Sequence, residues 1–223
     1  MRKLFLAATA AMLMMSGPMQ AADHNETPSV GGDPAADIAD VYFFRAGGKV
    51  VGAITFGNRP APASRIDVGL YCDPNVLYTF NIARGSNNTT PDLQVFARFG
   101  KNAVGTCGLQ LTGVPGATAA FSGQAETVFT SPSGLKAYAG LRDDPFFFDF
   151  QGFGATLANF TSNDATPPSK PLAFAPEVTP GAPPRDSFAG RNCSVIVFEM
   201  DPAAVYGSAT SVHAWATTSR IPG

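Results

Sequence analysis

The residues with the richest chemistry lie in one short segment, 140–150, where aromatic rings alternate with charged side chains. Four of the five residues from Phe146 to Phe150 are phenylalanines, and the fifth is Asp149. Each buried ring stabilises a fold by roughly 1.5–3 kcal/mol, so most of them should enter a core and carry Asp149 with them. A buried carboxylate requires a cation or hydrogen-bond donors, and Arg142 and a bound metal are the two alternatives. The candidate metal ligands here are Asp144 and Asp149, and the candidate ligand-binding residues are Arg142, Asp143 and Asn192.

A second acidic cluster, Asp33, Asp37 and Asp40, lies near the start of the chain. Asp33 followed by Pro34 is typical of a helix N-cap, and it predicts one helical turn over residues 34–39. Spacings of four and three would place the three carboxylates on one side of that turn. They either bind a hard cation such as Ca²⁺ or are a cap with solvated carboxylates. The pattern lacks the glycine and glutamate of an EF-hand loop.

His24 is a candidate ligand for a different metal. If a leader is removed after Ala21, the free amine, two amides and the His24 imidazole can surround Cu²⁺ or Ni²⁺ in a square plane. The alternative is an ordinary surface histidine or one paired with an aspartate.

The start of the chain predicts export. Met1-Arg2-Lys3 precedes an apolar stretch that ends at Met15, and small residues follow it up to Ala22. This order is typical of a signal peptide, here residues 1–22, and the apolar part is too short to span a bilayer. We expect a periplasmic or secreted protein with one β-rich domain at 23–223 and no membrane span in the mature chain. A net charge of −2 without a basic block gives no reason to expect a nucleic-acid partner.

Composition and periodicity predict a mostly β protein. The chain has 23 glycines and 19 prolines, and only 14% of its residues are charged. Short segments of period two, bounded by turn residues, favour an antiparallel β-sandwich or a partly closed barrel with short helical turns. The predicted strands are 41–45, 49–56, 76–84, 93–99, 103–111, 125–130, 136–141, 146–150, 194–200 and 212–218. Helical spacing predicts a surface helix at 151–161, and Asp201-Pro202 predicts a capped turn.

Seven of the prolines fall within residues 167–184. We therefore predict that residues 163–187 form one long proline-rich loop, either a lid or an irregular excursion.

The three cysteines allow two interpretations. An oxidising compartment favours one disulfide and one free thiol, with Cys72 and Cys107 as a guess at the pair. Cys72, Cys107 and Cys193 are alternatively small buried residues that never pair.

Several segments together resemble the bacterial family of domain of unknown function 4331 (DUF4331). The likeness is carried by His24 with 33–44, by 73–82, by 143–149, by 188–192 and by Trp215-Ala216-Thr217-Thr218. It implies an exported bacterial β-rich protein without an assigned activity.

Familiar catalytic patterns are missing, including the Gly-x-Ser-x-Gly elbow, the Walker loop and HExxH. We therefore favour a binding or envelope-associated module over an enzyme. In it, a structural calcium-type site would join the N-terminal aspartates to the 142–149 segment. Its partner would be a small molecule, a glycan or an envelope protein. The alternative is a metal-dependent hydrolase that uses the same carboxylates.

Overall fold

The fold is an antiparallel β-sandwich. The computed structural model describes residues 33–60, 69–85, 89–161, 181 and 185–221. Its elements are β1 (Ile38–Ala46), β2 (Lys49–Pro60), β3 (Val76–Arg84), β4 (Leu93–Lys101), β5 (Cys107–Thr112), β6 (Phe121–Gln124), β7 (Phe129–Thr130), β8 (Lys136–Asp143), α1 (Phe150–Thr161), β9 (Arg191–Met200), α2 (Pro202–Tyr206) and β10 (Val212–Arg220). The predicted signal peptide and most of the predicted proline-rich loop lie outside these residues.

Two five-stranded sheets pack against each other. Sheet I has the order β1-β2-β9-β8-β7, and sheet II has the order β10-β3-β4-β5-β6. Every strand pair is antiparallel, and neither sheet closes into a barrel. The sandwich predicted from the sequence is confirmed. β9 follows β8 in the chain but inserts between β2 and β8. This strand, which carries Cys193, is therefore the central strand of sheet I.

Aromatic rings from both sheets build the core between them. Phe56 of sheet I lies 4.6 Å from Tyr78 and 5.9 Å from Phe99 of sheet II, measured between ring centroids. Phe80 meets Phe198 edge to face at 5.3 Å. Each such pair stabilises the fold by about 0.5–1.5 kcal/mol in addition to the effect of burying its apolar surface. The inward side chains of these strands therefore pack in the core. A ligand-binding site should lie on the outward faces of the sheets or at the ends of the strands.

The prediction of a helical turn over residues 34–39 is wrong for its second half. A turn covers residues 34–36, and β1 already begins at Ile38. Ile38 pairs with Phe56, and Asp40 pairs with Thr55 across a bulge. Because pairing with β2 supplies the backbone hydrogen bonds, it prevails over the local cap, and Asp40 lies on a strand rather than on a helix face.

The strand predicted at 146–150 is also wrong. This segment makes no sheet ladder and runs directly into α1, which confirms the predicted helix at 151–161. Phe148 contacts Phe146, Phe150 and Phe153 at centroid distances of 5.1–5.6 Å. Phe188 packs on the same rings and is fully buried. The rings thus form a small second core beside the sandwich.

Of the two interpretations of the cysteines, the structure supports one disulfide and one free thiol, with the pair that was guessed from the sequence. Cys72 and Cys107 form a disulfide with a Cα–Cα distance of 6.1 Å, and Cys193 is free and buried. The capped turn predicted at Asp201 is confirmed as well, since its side chain accepts a hydrogen bond from Ala204 N–H at the start of α2.

Candidate ligand-binding site

A cleft of about 450 Å³ opens on the outward face of sheet I, the face away from the core. We call it the outer cleft. Four neighbouring strands and the segment after β8 provide its lining residues: Tyr42, Phe44, Ala53, Thr55, Tyr138, Arg142, Asp143, Pro145, Cys193, Val195 and Val197. Most of these side chains are apolar or aromatic, with a few polar groups among them, which is the usual composition of a small-molecule site.

Strand register explains how these residues meet. Tyr42, Ala53, Val197 and Tyr138 occupy one row across β1, β2, β9 and β8. Side chains of directly paired residues point to the same side of a sheet, so all four face outward together. Ala53 and Val197 lie between the two tyrosines in this row, and their smaller side chains leave the hollow.

The Tyr42 hydroxyl is the most unusual polar group in the outer cleft. Its oxygen is buried, and no described residue meets it in full hydrogen-bond geometry; the Asp40 side chain is a weak acceptor outside that geometry. Burial, the negative charges of Asp40 and Asp144 and a weak hydrogen bond to the Asp40 side chain raise the pKa of Tyr42 well above its ordinary value, so the hydroxyl keeps its proton. A buried donor without an acceptor costs about 1–3 kcal/mol. The cleft therefore offers a hydrogen-bond donor that the described part of the chain satisfies only weakly, through Asp40.

Asp40 is held at the side of the cleft by β2. Its backbone N–H donates to Thr55 Oγ1 at 2.9 Å, and the Thr55 hydroxyl donates back to Asp40 Oδ2 at 3.5 Å. Thr55 is almost fully buried, so this pairing satisfies a polar group in the floor of the cleft.

A polar network forms one rim. The Glu126 carboxylate accepts hydrogen bonds from the Tyr138 hydroxyl, from Leu141 N–H at 2.5 Å and from Arg142 Nη1 at 3.0 Å. The Arg142 guanidinium also lies 4.2 Å from the centre of the Tyr138 ring. Gly140 leaves space for this carboxylate, because a Cβ there would overlap both the Tyr138 hydroxyl and the Glu126 side chain. Arg142 is thereby fixed at the mouth of the cleft.

Cys193 forms part of the cleft wall. It is fully buried, and burial together with the charges of Asp144 and Asp40 raises the pKa of its thiol to about 12. At neutral pH the thiol is protonated and is a poor nucleophile. This side chain shapes the cleft rather than supplying reactive sulfur.

The structure brings some of the predicted site residues together. Arg142 and Asp143 line the outer cleft, and Asn192 pairs with Asp143 across β9 and β8. The charges of Asp40 and Asp144 both raise the pKa of Tyr42 and of Cys193. Asp144 also accepts a hydrogen bond from Phe146 N–H at 3.0 Å.

The other predicted metal ligands are engaged elsewhere. Asp149 is buried, accepts from Gly152 N–H at 2.9 Å as the cap of α1 and forms an ion pair with Arg185 at 2.7 Å. The cation paired with the Asp149 carboxylate is thus Arg185 rather than Arg142. Asp33 forms an ion pair with Arg220 at the end of β10, where Arg220 also contacts Asp73 at 2.5 Å.

Among the described residues, no group of three or more histidine, cysteine, aspartate or glutamate side chains has the arrangement of a metal site. Asp37 contributes its backbone oxygen to Gly57 N–H at 3.2 Å, and His24 lies outside the described residues. The calcium site, the copper site and the metal-dependent hydrolase therefore stay predictions.

Sequence reasoning missed the tyrosines and Glu126. Alternation along β1 and β8 could have assigned Tyr42 and Tyr138 to outward faces. Glu126 has a positive φ of 61°, which is rare outside glycine, and nothing in its sequence context indicates that it folds back onto β8.

Comparison with protein-family models, with curated proteins and with solved structures finds no significant match. The resemblance to the DUF4331 family stays a prediction for that reason. Within the described residues, no helix combines the length and the apolar character needed to cross a bilayer.

Proposed function

We propose that this chain is an exported binding module and that the outer cleft takes a small, mostly apolar, neutral molecule with a carbonyl or ether oxygen. The observation that carries the proposal is the buried Tyr42 hydroxyl, which no described residue meets in full hydrogen-bond geometry and which Asp40 reaches only as a weak acceptor. A ligand oxygen at this position would complete its hydrogen bonding.

The lining supports an apolar ligand body. Phe44, Ala53, Val195 and Val197 face the cleft, and Phe44 is 49% exposed. Covering such surface releases roughly 25 cal/mol for each Å² of apolar area removed from water.

The electrostatics support a neutral acceptor. Asp40 and Asp144 already place negative charge near the Tyr42 hydroxyl, so a ligand carboxylate there would be repelled. A carbonyl or ether oxygen accepts the tyrosine proton without adding charge. Arg142, fixed at the rim by Glu126, can interact with a polar tail or stack on a ring.

The disulfide supports export. Disulfides persist in oxidising compartments and are rare in the cytosol, and Cys72–Cys107 agrees with the predicted signal peptide in this respect.

The test uses the fluorescent dye Prodan, a neutral naphthalene with one carbonyl group. We expect its emission to shift to the blue when the mature protein is added, because the dye leaves water. Tyr42→Phe should weaken binding by roughly fivefold, the value of one neutral hydrogen bond of about 1 kcal/mol. Tyr206→Phe, outside the cleft, is the matched control and should bind like the wild type.

A second variant fills the hollow. Ala53→Leu adds bulk between the tyrosines and should reduce Prodan binding more strongly than Tyr42→Phe does. Binding that survives both changes would place the dye elsewhere and reject the proposal.

A further inference from the structure

The outward face of sheet II has a different chemistry from the outer cleft. We define the polar face by Trp215 of β10, Asn81 of β3, Gln94 and Arg98 of β4, Gln110 of β5 and the adjoining Lys101. Trp215, Asn81 and Gln94 form one row across three strands, and Arg98 pairs with Gln110 four residues further along β4. One flat face thus carries an aromatic group, several amides and one cation, Arg98, whose Nε donates to the Pro74 carbonyl oxygen at 2.8 Å. Lys101, the last residue of β4, is on the other side of the strand by alternation, and it lines the groove at the strand end.

The cationic end of the polar face contains a shallow groove of about 440 Å³. Gly100 and Gly108 pair across its floor, and a Cβ added at Gly100 would meet no atom within 4 Å. No side chain therefore covers the backbone between Arg98 and Lys101, and a chain-like ligand can lie directly on the sheet.

The charge of the groove is opposite to that of the protein as a whole. Arg98 and Lys101 are among its lining residues, and no aspartate or glutamate is. Within the described residues, neither cation forms an ion pair with a carboxylate. The complete sequence carries a net charge of −2. A local excess of positive charge favours an anionic ligand at this end.

The other end offers stacking and hydrogen bonds. The Trp215 and His213 rings are nearly parallel, with centroids 5.8 Å apart. Gln94 Nε2 donates to Asn81 Oδ1 at 2.8 Å, which orients both amides beside Trp215. Amides supply donors and acceptors that match hydroxyl groups, and an aromatic face packs against the C–H side of a sugar ring.

The spacing of the two ends sets the size of the ligand. Gln94 and Arg98 are four residues apart on one strand, which corresponds to about 13 Å at roughly 3.3 Å for each residue. A single sugar cannot reach from the Trp215 row to the cations, whereas a short oligosaccharide can.

We propose that the polar face binds an extended acidic polysaccharide, with its carboxylates at Arg98 and Lys101 and a sugar ring against Trp215. A nucleic acid fits less well. Two cations neutralise few phosphates, and nucleic-acid sites usually present a broad basic patch. This site is separate from the outer cleft, so either proposal can fail without the other.

The experiment uses the single tryptophan of the chain as its reporter. The mature protein is titrated with oligogalacturonate while the fluorescence of Trp215 is followed and the affinity is measured by calorimetry. We expect saturable binding that weakens as salt increases. Arg98→Gln combined with Lys101→Gln should lower the affinity about tenfold and flatten its salt dependence. Lys136→Gln, on sheet I, is the matched control and should leave both unchanged.

Trp215→Phe separates stacking from charge. It should weaken binding measured by calorimetry while the salt dependence stays as in the wild type. The melting temperature of each variant shows whether it is folded. Three results would overturn the proposal: no oligogalacturonate binding by the folded wild type, equal affinity in the double variant, or oligothymidylate binding as tight as that of the sugar. Self-association that buries Trp215 and excludes the oligosaccharide would overturn it as well.

Discussion

Replacing Tyr42 by phenylalanine should stabilise the ligand-free protein, although the same change weakens ligand binding. The hydroxyl is buried, and no described residue accepts its hydrogen bond in full hydrogen-bond geometry, since Asp40 is only a weak acceptor. In the unfolded chain that hydroxyl is hydrated, so folding removes water from it without a full replacement. Phenylalanine keeps the ring against Ala53 and omits the group that is poorly solvated.

The size of the effect follows from the cost of an unsatisfied polar group, about 1–3 kcal/mol. The Tyr42 side chain is only partly buried and borders an open cleft, so the lower end of this range applies. We expect the free energy of unfolding to rise by about 1 kcal/mol. With an m-value of about 2 kcal/mol/M, the urea midpoint would increase by about 0.5 M.

The assay is urea unfolding at neutral pH with the disulfide intact, followed by circular dichroism. Tyr206→Phe serves as the control and should shift the midpoint by much less. A Tyr42→Phe variant that loses 1 kcal/mol or more would mean that the hydroxyl makes a favourable hydrogen bond in the free protein. The argument for a ligand acceptor would then be refuted.

Four further substitutions, one of them a control, test the surrounding structure. Gly140→Ala should lower the free energy of unfolding in urea by about 1–3 kcal/mol, because the added Cβ overlaps the Glu126 carboxylate. Gly154→Ala is the control and should be neutral or slightly stabilising, because nothing lies within 4 Å of its added Cβ. Equal effects of the two changes would contradict the packing argument. Asp149→Ala should cost about 2 kcal/mol, because it removes the cap of α1 and the ion pair with a half-exposed Arg185. EDTA should leave wild-type melting unchanged if these partners satisfy Asp149, and a lower melting temperature in EDTA would instead support the calcium prediction. Folding raises the pKa of the Cys193 thiol from 9.0 to about 12. As pH rises above about 9, the thiol therefore loses its proton in the unfolded state but keeps it in the folded state. The free energy of unfolding should then fall by up to about 1.4 kcal/mol for each pH unit. Cys193→Ala should remove this decline between about pH 9 and 10, measured by unfolding at a series of pH values, and an unchanged decline would contradict the assignment.

The sandwich could be predicted from the sequence because short segments of period two, separated by glycine and proline, leave few other architectures. The Phe146–Phe150 segment misled the same reasoning. Its aromatic residues favour a strand, but Asp149 caps the following helix, and the rings pack on Phe153 and Phe188 instead of on a neighbouring strand. Asp149 stands directly before a segment of helical spacing, which indicates the start of a helix. The density of aromatic residues favoured a strand more strongly than this signal favoured a helix.

The outer cleft could be predicted only in part. Arg142 and Asp143 were selected for their charge, and both line it. Val197 becomes a neighbour of Ala53, and Tyr138 joins the same row, only because β9 inserts between β2 and β8. Strand order in a sandwich depends on packing between distant segments, and no local pattern specifies it.

The most direct test of the central claim is a crystal structure of the mature protein with Prodan bound. The account predicts dye density over the outward face of sheet I, with the naphthalene against Ala53 and Val197. Its carbonyl oxygen should lie about 2.7–2.8 Å from Tyr42 Oη. Dye bound at another place, or in the outer cleft with its carbonyl turned away from Tyr42, would contradict the account.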